Sequence, residues 1–128
     1  MMIKLTFCVK RLPHLTREEF DQYWYEKHSQ LVIKHAPALR IQRYVQVPVY
    51  GRSSAQENIR ASRSAMEIEF DGVAELWWKS FQDLAEASRT DEGAKASAEL
   101  LKDEKRFIDL SRSAIWYGQE REIFSIGK

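Results

Sequence analysis

The sequence is poor in residues that cross-link or interrupt a chain, and in runs that would anchor it. Its 128 residues include one cysteine, Cys8, three prolines and five glycines, so no disulfide can form within the chain. No run approaches the roughly 18 to 20 apolar residues that cross a bilayer, and Lys4 and Lys10 interrupt the stretch that would form a signal peptide. We therefore expect a single domain over residues 1–128 that acts in the cytoplasm without a membrane partner.

An excess of charge of one sign is missing as well. Lys and Arg total 20 and Asp and Glu total 19, which leaves a formal net charge of +1. Such a balance provides no broad positive field for a phosphate backbone, and it predicts no nucleic-acid partner. A hydrophobic fraction of 44% with 30% charged residues is typical of a globular domain.

Motifs for several common chemistries are absent. The sequence has no Gly-rich phosphate loop, no Gly-x-Ser-x-Gly turn and no Cys-x-x-Cys pair, so nucleotide, serine-hydrolase and dithiol chemistry lack support. Cys8, His14, His28 and His35 do not have the spacing of metal ligands. We predict neither a metal nor a cofactor.

The N-terminal part of the chain predicts a strand followed by a helix. Residues 2–10 alternate between apolar and polar side chains, which is the period of a half-buried strand. Thr16 and Glu19 form a capping box, so a helix should begin there. We expect this helix to run to about His35, because Pro37 disfavours a helical conformation in the residue before it.

Further strands are predicted from residues that favour β-structure. They lie at 40–49, at 66–70 and at 112–124. The polar segment 51–63 predicts an exposed loop, whose arginines either meet a carboxylate or remain solvated.

Helical spacing replaces the strand period after residue 72. The apolar stripe of this predicted helix consists of Val73, Trp77, Phe81 and Leu84. A helix of small residues follows over 91–105. The order β, α, β, β, α, (α), β predicts an α+β domain with a ferredoxin-like βαββαβ fold, an extra helix, and a four-stranded antiparallel sheet with helices on one face.

The other face of this sheet would carry Thr6, Cys8, Glu67 and Glu69. It either faces water or is covered by the sheet of a second copy, and we favour the second copy because paired sheets bury their inner faces. A homodimer is therefore predicted. Glu67 and Glu69, about 6.6 Å apart along one strand, have a spacing compatible with an acid/base pair, and an outer strand face explains them equally well.

His28 is the strongest candidate for chemistry. On a helical wheel it lies in an apolar stripe near Trp24 and Leu31. Desolvation there would keep the imidazole neutral and able to accept a proton, which suits a general base. The alternative is a core histidine that is hydrogen-bonded to a backbone carbonyl. His35 shares the stripe, but a rise of ~1.5 Å per residue puts it ~10 Å from His28, too far to share a metal.

Aromatic side chains are the second signal, with four Trp, five Tyr and six Phe in the chain. They could line a pocket between helices and sheet for an apolar or aromatic small molecule, or they could pack an ordinary core. Tyr44 is a candidate donor to a developing oxyanion if the second strand faces that pocket, and its register is open. The candidate ligand-binding side chains are Phe7, Trp24, His35, Trp77 and Phe81.

Several segments together resemble a known family over about residues 3–120. Lys10-Arg11-Leu12-Pro13, segment 16–28 with its Phe20, Tyr23-Trp24 and His28 spacing, and Arg43-Tyr44-Val45 resemble the EthD family of dimeric α+β barrel proteins. The resemblance implies ferredoxin-like protomers whose two sheets form a barrel, with pockets between helices and sheet. It also implies relatives associated with degradation of ethyl tert-butyl ether or with dehydration and decarboxylation of aromatic polyketides.

The leading hypothesis is a cofactor-independent enzyme that transfers protons on a small hydrophobic or aromatic carbonyl compound, as a lyase, cyclase or isomerase. His28 would be the base, Tyr44 the polar donor, and Trp24 would pack against the substrate. One alternative is a non-catalytic binding or accessory protein for an oxygenase pathway such as ether degradation. Another is a small monooxygenase that activates oxygen with the substrate or haem alone.

Overall fold

A computed structural model describes residues 2–127. The strands are β1 (Ile3–Val9), β2 (Arg43–Pro48), β3 (Gly72–Trp78) and β4 (Ala114–Gly118). The helices are α1 (Arg17–Tyr23), α2 (Ser29–Leu39), α3 (Ser54–Ser62), α4 (Phe81–Arg89) and α5 (Asp91–Glu104). A π-helical turn, Trp24–His28, joins α1 to α2, and a 3₁₀ turn, Leu110–Arg112, precedes β4. Among the described residues, no helix has the length and apolar character needed to span a membrane.

The four strands form one antiparallel sheet in the order β2-β3-β1-β4. The predicted α+β, ferredoxin-like class is confirmed. Strand pairing aligns Tyr44, Leu76, Leu5 and Tyr117 in one row across the sheet. This row, and the rows two residues away along each strand, face the helices.

The first helical region begins where the sequence predicts it. Thr16 accepts a hydrogen bond from the Glu19 N–H, and the Glu19 carboxylate accepts one from the Thr16 N–H, which completes the capping box. The helical path continues past the expected end at His35 to Leu39, with Pro37 inside α2. Pro37 is tolerated because it lies on the exposed face with Ile33, whose carbonyl can bond to water.

The third strand is Gly72–Trp78, so the predictions of a strand at 66–70 and of a helix from Val73 are both wrong. Large apolar groups occur on both faces of this strand, such as Leu76 toward the helices and Trp77 on the far side. The period of two is therefore hidden, and the spacing from Val73 to Trp77 imitates a helix.

Other boundaries also differ from the sequence predictions. The predicted loop 51–63 contains α3, whose N-cap Ser53 accepts a hydrogen bond from the Gln56 N–H. This helix has no buried residue, so it lacks the apolar stripe that would reveal it. Glu67 and Glu69 lie outside the sheet in an exposed irregular segment, which excludes the acid/base pair considered for one strand face. β2 and β4 are both shorter than expected.

The hydrophobic core has two clusters. The first contains Phe7, Val9, Phe20, Trp24, Ala74, Phe107 and Ile108. The second contains Val32, Leu39, Ala96 and Leu100. Tyr44 and Leu76 pack against both clusters, so these two sheet residues connect the two halves of the core.

Asp71 is a buried charged group directly before β3. Its carboxylate accepts a hydrogen bond from the Arg11 N–H at 2.8 Å, and it pairs with the guanidinium groups of Arg11 and Arg17. These contacts tie the start of β3 to the connection between β1 and α1.

Replacement of Asp71 by Ala should lower the free energy of unfolding by about 1–3 kcal/mol, because the Arg11 N–H and two partly exposed arginine side chains lose their buried acceptor. Urea unfolding of the variant and the wild type measures this loss. Glu122→Ala, an exposed carboxylate, is the matched control and should change stability by less than about 0.5 kcal/mol. A loss of under about 1 kcal/mol for Asp71→Ala would contradict the assigned role.

Candidate functional site

A cavity of about 260 Å³ lies between the helix-facing side of the sheet and helices α2, α4 and α5. Its sheet side is formed by Leu5, Phe7, Val9, Tyr44, Ala74, Leu76, Trp78, Ile115 and Tyr117. The helical side includes Trp24, His28, Val32, Leu39, Leu84, Ala87, Leu100, Leu101 and Glu104. Most of these side chains are apolar, which suits a small hydrophobic ligand with few polar groups.

The cavity lies where the two core clusters meet. Both clusters supply lining residues, for example Trp24 from the first and Leu100 from the second. The short side chains of Ala74 and Ala87 face this space and leave it unfilled. Exposed Ser88 and Leu101 at the rim connect the cavity to the protein surface.

The π-helical turn brings two predicted site residues to the cavity. Trp24 and His28 are both buried there, at 1% and 5% exposure. The Trp24 carbonyl accepts a hydrogen bond from the Ser29 N–H, five residues later, and a second from Gln46 Nε2 at 2.9 Å. Gly72 allows the Trp24 ring to pack on β3, because a Cβ at this position would lie 2.7 Å from Trp24 Cζ3. Short π segments recur at functional sites.

His28 is held by a carboxylate from the end of α5. Its Nδ1 lies 2.8 Å from Asp103 Oδ2, and Tyr23 donates its hydroxyl to Asp103 Oδ1 at 2.5 Å. Since a carboxylate only accepts hydrogen bonds, Nδ1 carries the proton of the neutral ring and Nε2 has the free lone pair. The ring packs against Phe107, with centroids 5.0 Å apart, and borders the cavity. Nε2 is therefore the ring atom available to a ligand.

Two effects act on His28 in opposite directions. Burial lowers its pKa from the ordinary value, because the charged ring loses hydration. The hydrogen bond and charge of Asp103 raise it, and burial is the larger effect. The imidazole is therefore neutral near pH 7 and able to accept a proton.

Tyr44 is the second polar group on the cavity wall. Its hydroxyl accepts a hydrogen bond from Gln46 Nε2 at 2.8 Å. Burial is the main cause that raises the pKa of Tyr44 to about 12, so the hydroxyl keeps its proton. The hydroxyl can therefore donate a hydrogen bond to an oxygen of a bound molecule.

Glu104 adds a carboxyl group to the same cavity. Burial, followed by the charge of neighbouring Asp103, raises its pKa to about 7. The group therefore keeps its proton to far higher pH than an exposed glutamate.

The structure brings together four of the seven residues predicted for the site. Phe7, Trp24, His28 and Tyr44 border one cavity. The alternative of a core histidine bonded to a backbone carbonyl does not describe His28, whose partner is a carboxylate.

The other three predicted residues lie outside the cavity. His35 pairs with Glu99 on the surface, with 2.7 Å between His35 Nε2 and the carboxylate. Trp77 lies on the opposite face of the sheet, where it stacks with Arg43, because it belongs to a strand and not to the predicted helix. Phe81 is 56% exposed at the start of α4, and its ring meets that of the cavity residue Tyr117 edge to face, with centroids 5.5 Å apart.

Sequence reasoning missed Asp103, Glu104, Tyr23 and Gln46. One signal could have revealed Glu104, since it continues the inward spacing of Ala96 and Leu100 along α5. A carboxyl group in line with buried apolar residues is unusual and marks a candidate site. Between residues 2 and 127, no group of three or more His, Cys, Asp or Glu side chains is arranged to hold a metal ion.

The sequence matches the EthD domain over residues 12–111. Because this match spans most of the chain, the protein belongs to the EthD family. A search of curated proteins found no significant match.

Solved structures share this fold. An ethyl tert-butyl ether D (EthD) family protein from Bacillus halodurans is 23% identical, with a TM-score of 0.62, and the alignment covers 94% of this chain and all of that chain. An EthD-like protein from Ralstonia eutropha is 15% identical, with a TM-score of 0.59 and coverage of 92% and 90%. SnoaB, a cofactor-independent oxygenase from Streptomyces nogalater, is 10% identical, with a TM-score of 0.53 and coverage of 99% and 98%. At such identities the likeness concerns the fold alone.

The raised pKa of Glu104 predicts a pH-dependent stability. The folded protein holds this proton between pH 4.5 and about 7 whereas the unfolded chain releases it, so the stabilising contribution is complete below pH 4.5 and is lost as the pH rises through 7. The variant Glu104→Gln has no such proton to lose. The difference in unfolding free energy, variant minus wild type, should therefore increase between pH 4.5 and about pH 8, by about 3 kcal/mol at most. Urea unfolding of both proteins at the two pH values measures this gain, and a difference independent of pH would contradict the raised pKa.

Proposed function

We propose that this protein is a cofactor-independent enzyme that transfers protons on a small, largely apolar carbonyl compound. The observation that carries the proposal is the His28–Asp103 pair at the wall of an apolar cavity. A neutral imidazole, oriented by a carboxylate and with Nε2 available to a ligand, has the properties of a general base.

The cavity supports this class of ligand by its size and lining. About 260 Å³ is just below the roughly 300–1,000 Å³ that is typical of ligand pockets, so a compound with one or two rings is the expected size. The apolar walls favour a neutral molecule. The indole rings of Trp24 and Trp78 provide flat surfaces for an aromatic ring.

The proposed step begins at a carbon next to the carbonyl group. His28 Nε2 removes a proton from this carbon while the carbonyl oxygen gains negative charge. The Tyr44 hydroxyl donates a hydrogen bond to that oxygen. Asp103 stabilises the imidazolium through Nδ1 and is a positioning residue, since it does not border the cavity.

Deuterium exchange tests this step without knowledge of the natural substrate. Wild-type protein in D₂O should incorporate deuterium next to the carbonyl of small aryl ketones, such as 1-indanone, and ¹H NMR measures the rate. His28→Ala should lower this rate by about 10² to 10⁴-fold, because the base is lost. His14→Ala removes an exposed histidine outside the cavity and serves as the matched control.

Binding must be measured beside the rate. Trp24 and Trp78 border the cavity, so their fluorescence reports ligand binding. His28→Ala should bind 1-indanone within about tenfold of the wild type, since most of the contact area is apolar. Ketones that bind without exchange would favour the carrier or accessory function. Oxygen consumption with a bound ketone would favour the monooxygenase.

We also infer that the protein is a homodimer. The sheet face opposite the helices carries Val47 and Trp116, which are 48% and 52% exposed, near the Lys4–Glu75 ion pair. A second copy packed sheet to sheet would cover these residues, and a two-fold axis would match each apolar patch to its equivalent. The cytoplasmic location and a role in ether degradation stay predictions.

Light scattering after gel filtration should give about twice the chain mass of 15.1 kDa at micromolar concentration. Trp116→Arg should shift this mass toward the monomer, because it places a charge inside the paired sheets. Ile33→Arg, at an exposed apolar residue on the helical side, should leave it unchanged. A wild-type protein with the mass of one chain would contradict the dimer.

A further inference from the structure

Glu104 reaches the cavity from a different element than His28 does. It is the last residue of α5, whereas His28 ends the π-helical turn, and both side chains border the same space. One bound molecule can therefore contact two groups that hold or release a proton.

The Glu104 side chain has no hydrogen-bond or ion-pair partner among residues 2–127. Its neighbour Asp103 is paired instead, with Tyr23, His28 and Arg106. An ionised carboxylate without a partner is costly in an apolar site. The arrangement therefore favours a protonated Glu104 that can donate to a ligand.

The charge of Asp103 favours the same protonated form of Glu104. Asp103 is its neighbour on α5, and the cavity adds His28 from the π-helical turn, Tyr44 from β2 and Tyr117 from β4. Strands β1 and β3 and helices α2 and α4 add no ionisable side chain to this lining, and no lysine or arginine occurs in it. The end of α5 also contributes partial negative charge, which opposes ionisation of a carboxyl group.

Glu104 and Tyr44 both border the cavity. Burial is the main reason for the high pKa of Tyr44, and the negative charge of Glu104 raises it further. Both groups border a cavity of about 260 Å³, so one bound molecule can contact the Tyr44 hydroxyl and the Glu104 carboxyl group.

We infer that Glu104 is the general acid that protonates the substrate oxygen while His28 removes the proton from carbon. This inference rests on the proposed function and adds the second proton carrier. The C–H electron pair forms a C=C bond, the π pair of the carbonyl moves to oxygen, and the Glu104 proton completes the O–H bond of an enol. Return of a proton from His28 to the same or another carbon, and of the O–H proton to Glu104, resets both groups without an oxidant or reductant.

The substrate class follows from this pair of groups. The compound must carry a hydrogen on a carbon next to a neutral carbonyl group, because the acid acts on oxygen and the base on carbon. An anionic ligand with its carboxylate at this position would be repelled by Glu104 once that group ionises.

Exchange of 1-indanone in D₂O tests the inference across a range of pH. Glu104→Gln should lower the exchange rate by about 10²-fold near pH 6.5 and should remove the fall in rate above neutral pH, since the amide holds no transferable acid proton. Glu104→Asp should retain that fall. Glu92→Gln makes the same change on an exposed turn of α5 and should leave rate and pH profile unchanged.

The outcomes separate the two proposals. Unchanged rate and profile in Glu104→Gln, with a large loss in His28→Ala, would overturn the role of Glu104 and leave the proposed function intact. Absence of exchange in the wild type, for a ketone that binds, would overturn both. A loss of 1-indanone binding that equals the loss of rate would identify Glu104 as a binding group only and would also overturn the inference.

A second measurement does not depend on activity. The Glu104 carboxyl ¹³C resonance is assigned as the one that disappears in Glu104→Gln, and in the wild type it should titrate near pH 7. A midpoint near the ordinary 4.5 would overturn the inference, because the carboxyl group would then be ionised at neutral pH.

Discussion

The hydrogen bond between His28 and Asp103 joins parts of the chain that are 75 residues apart, and the site depends on it. It fixes the end of the π-helical turn against the end of α5. It also determines which ring nitrogen carries the proton and leaves Nε2 for a ligand. Phe107 and Tyr23 pack around the pair, so the ring cannot turn without disturbing buried neighbours. One interaction thus links the packing of the helices to the chemistry of the cavity.

The cavity exists because the core is divided. One cluster fills the end of the domain near Phe20 and Phe107, and the other fills the end near Leu39. Between them, the sheet presents a row with Tyr44 and Leu76, and small residues do not close the gap. Close packing on both sides keeps this space in a fixed shape, since protein interiors resist collapse once their side chains interlock. A rigid cavity preserves the geometry of the groups on its wall.

The sequence predicts where strands and helices begin better than it predicts which side of each one faces the core. β1 and the helix start at Thr16 follow from alternation and capping, which depend on nearby residues alone. The sequence places Trp77 on the wrong side because β3 is apolar on both faces, and only the pairing with β1 shows which face is turned to the helices. His28 stands out as a histidine on an apolar stripe. Asp103 does not, because its role depends on a contact between distant segments that no spacing in the chain encodes.

The same physical cause shifts two ionisable groups on the cavity wall toward their neutral forms. Loss of hydration disfavours charge, so it lowers the pKa of His28 and raises that of Glu104 to about 7. The neutral imidazole can accept a proton, and the carboxyl group holds its proton up to about pH 7. The apolar environment therefore favours the uncharged forms of both groups on the cavity wall. Asp103 orients the imidazole from behind the cavity wall. Its other partners, Tyr23 and Arg106, also lie outside the cavity, so the carboxylate acts on the site through its hydrogen bond to His28.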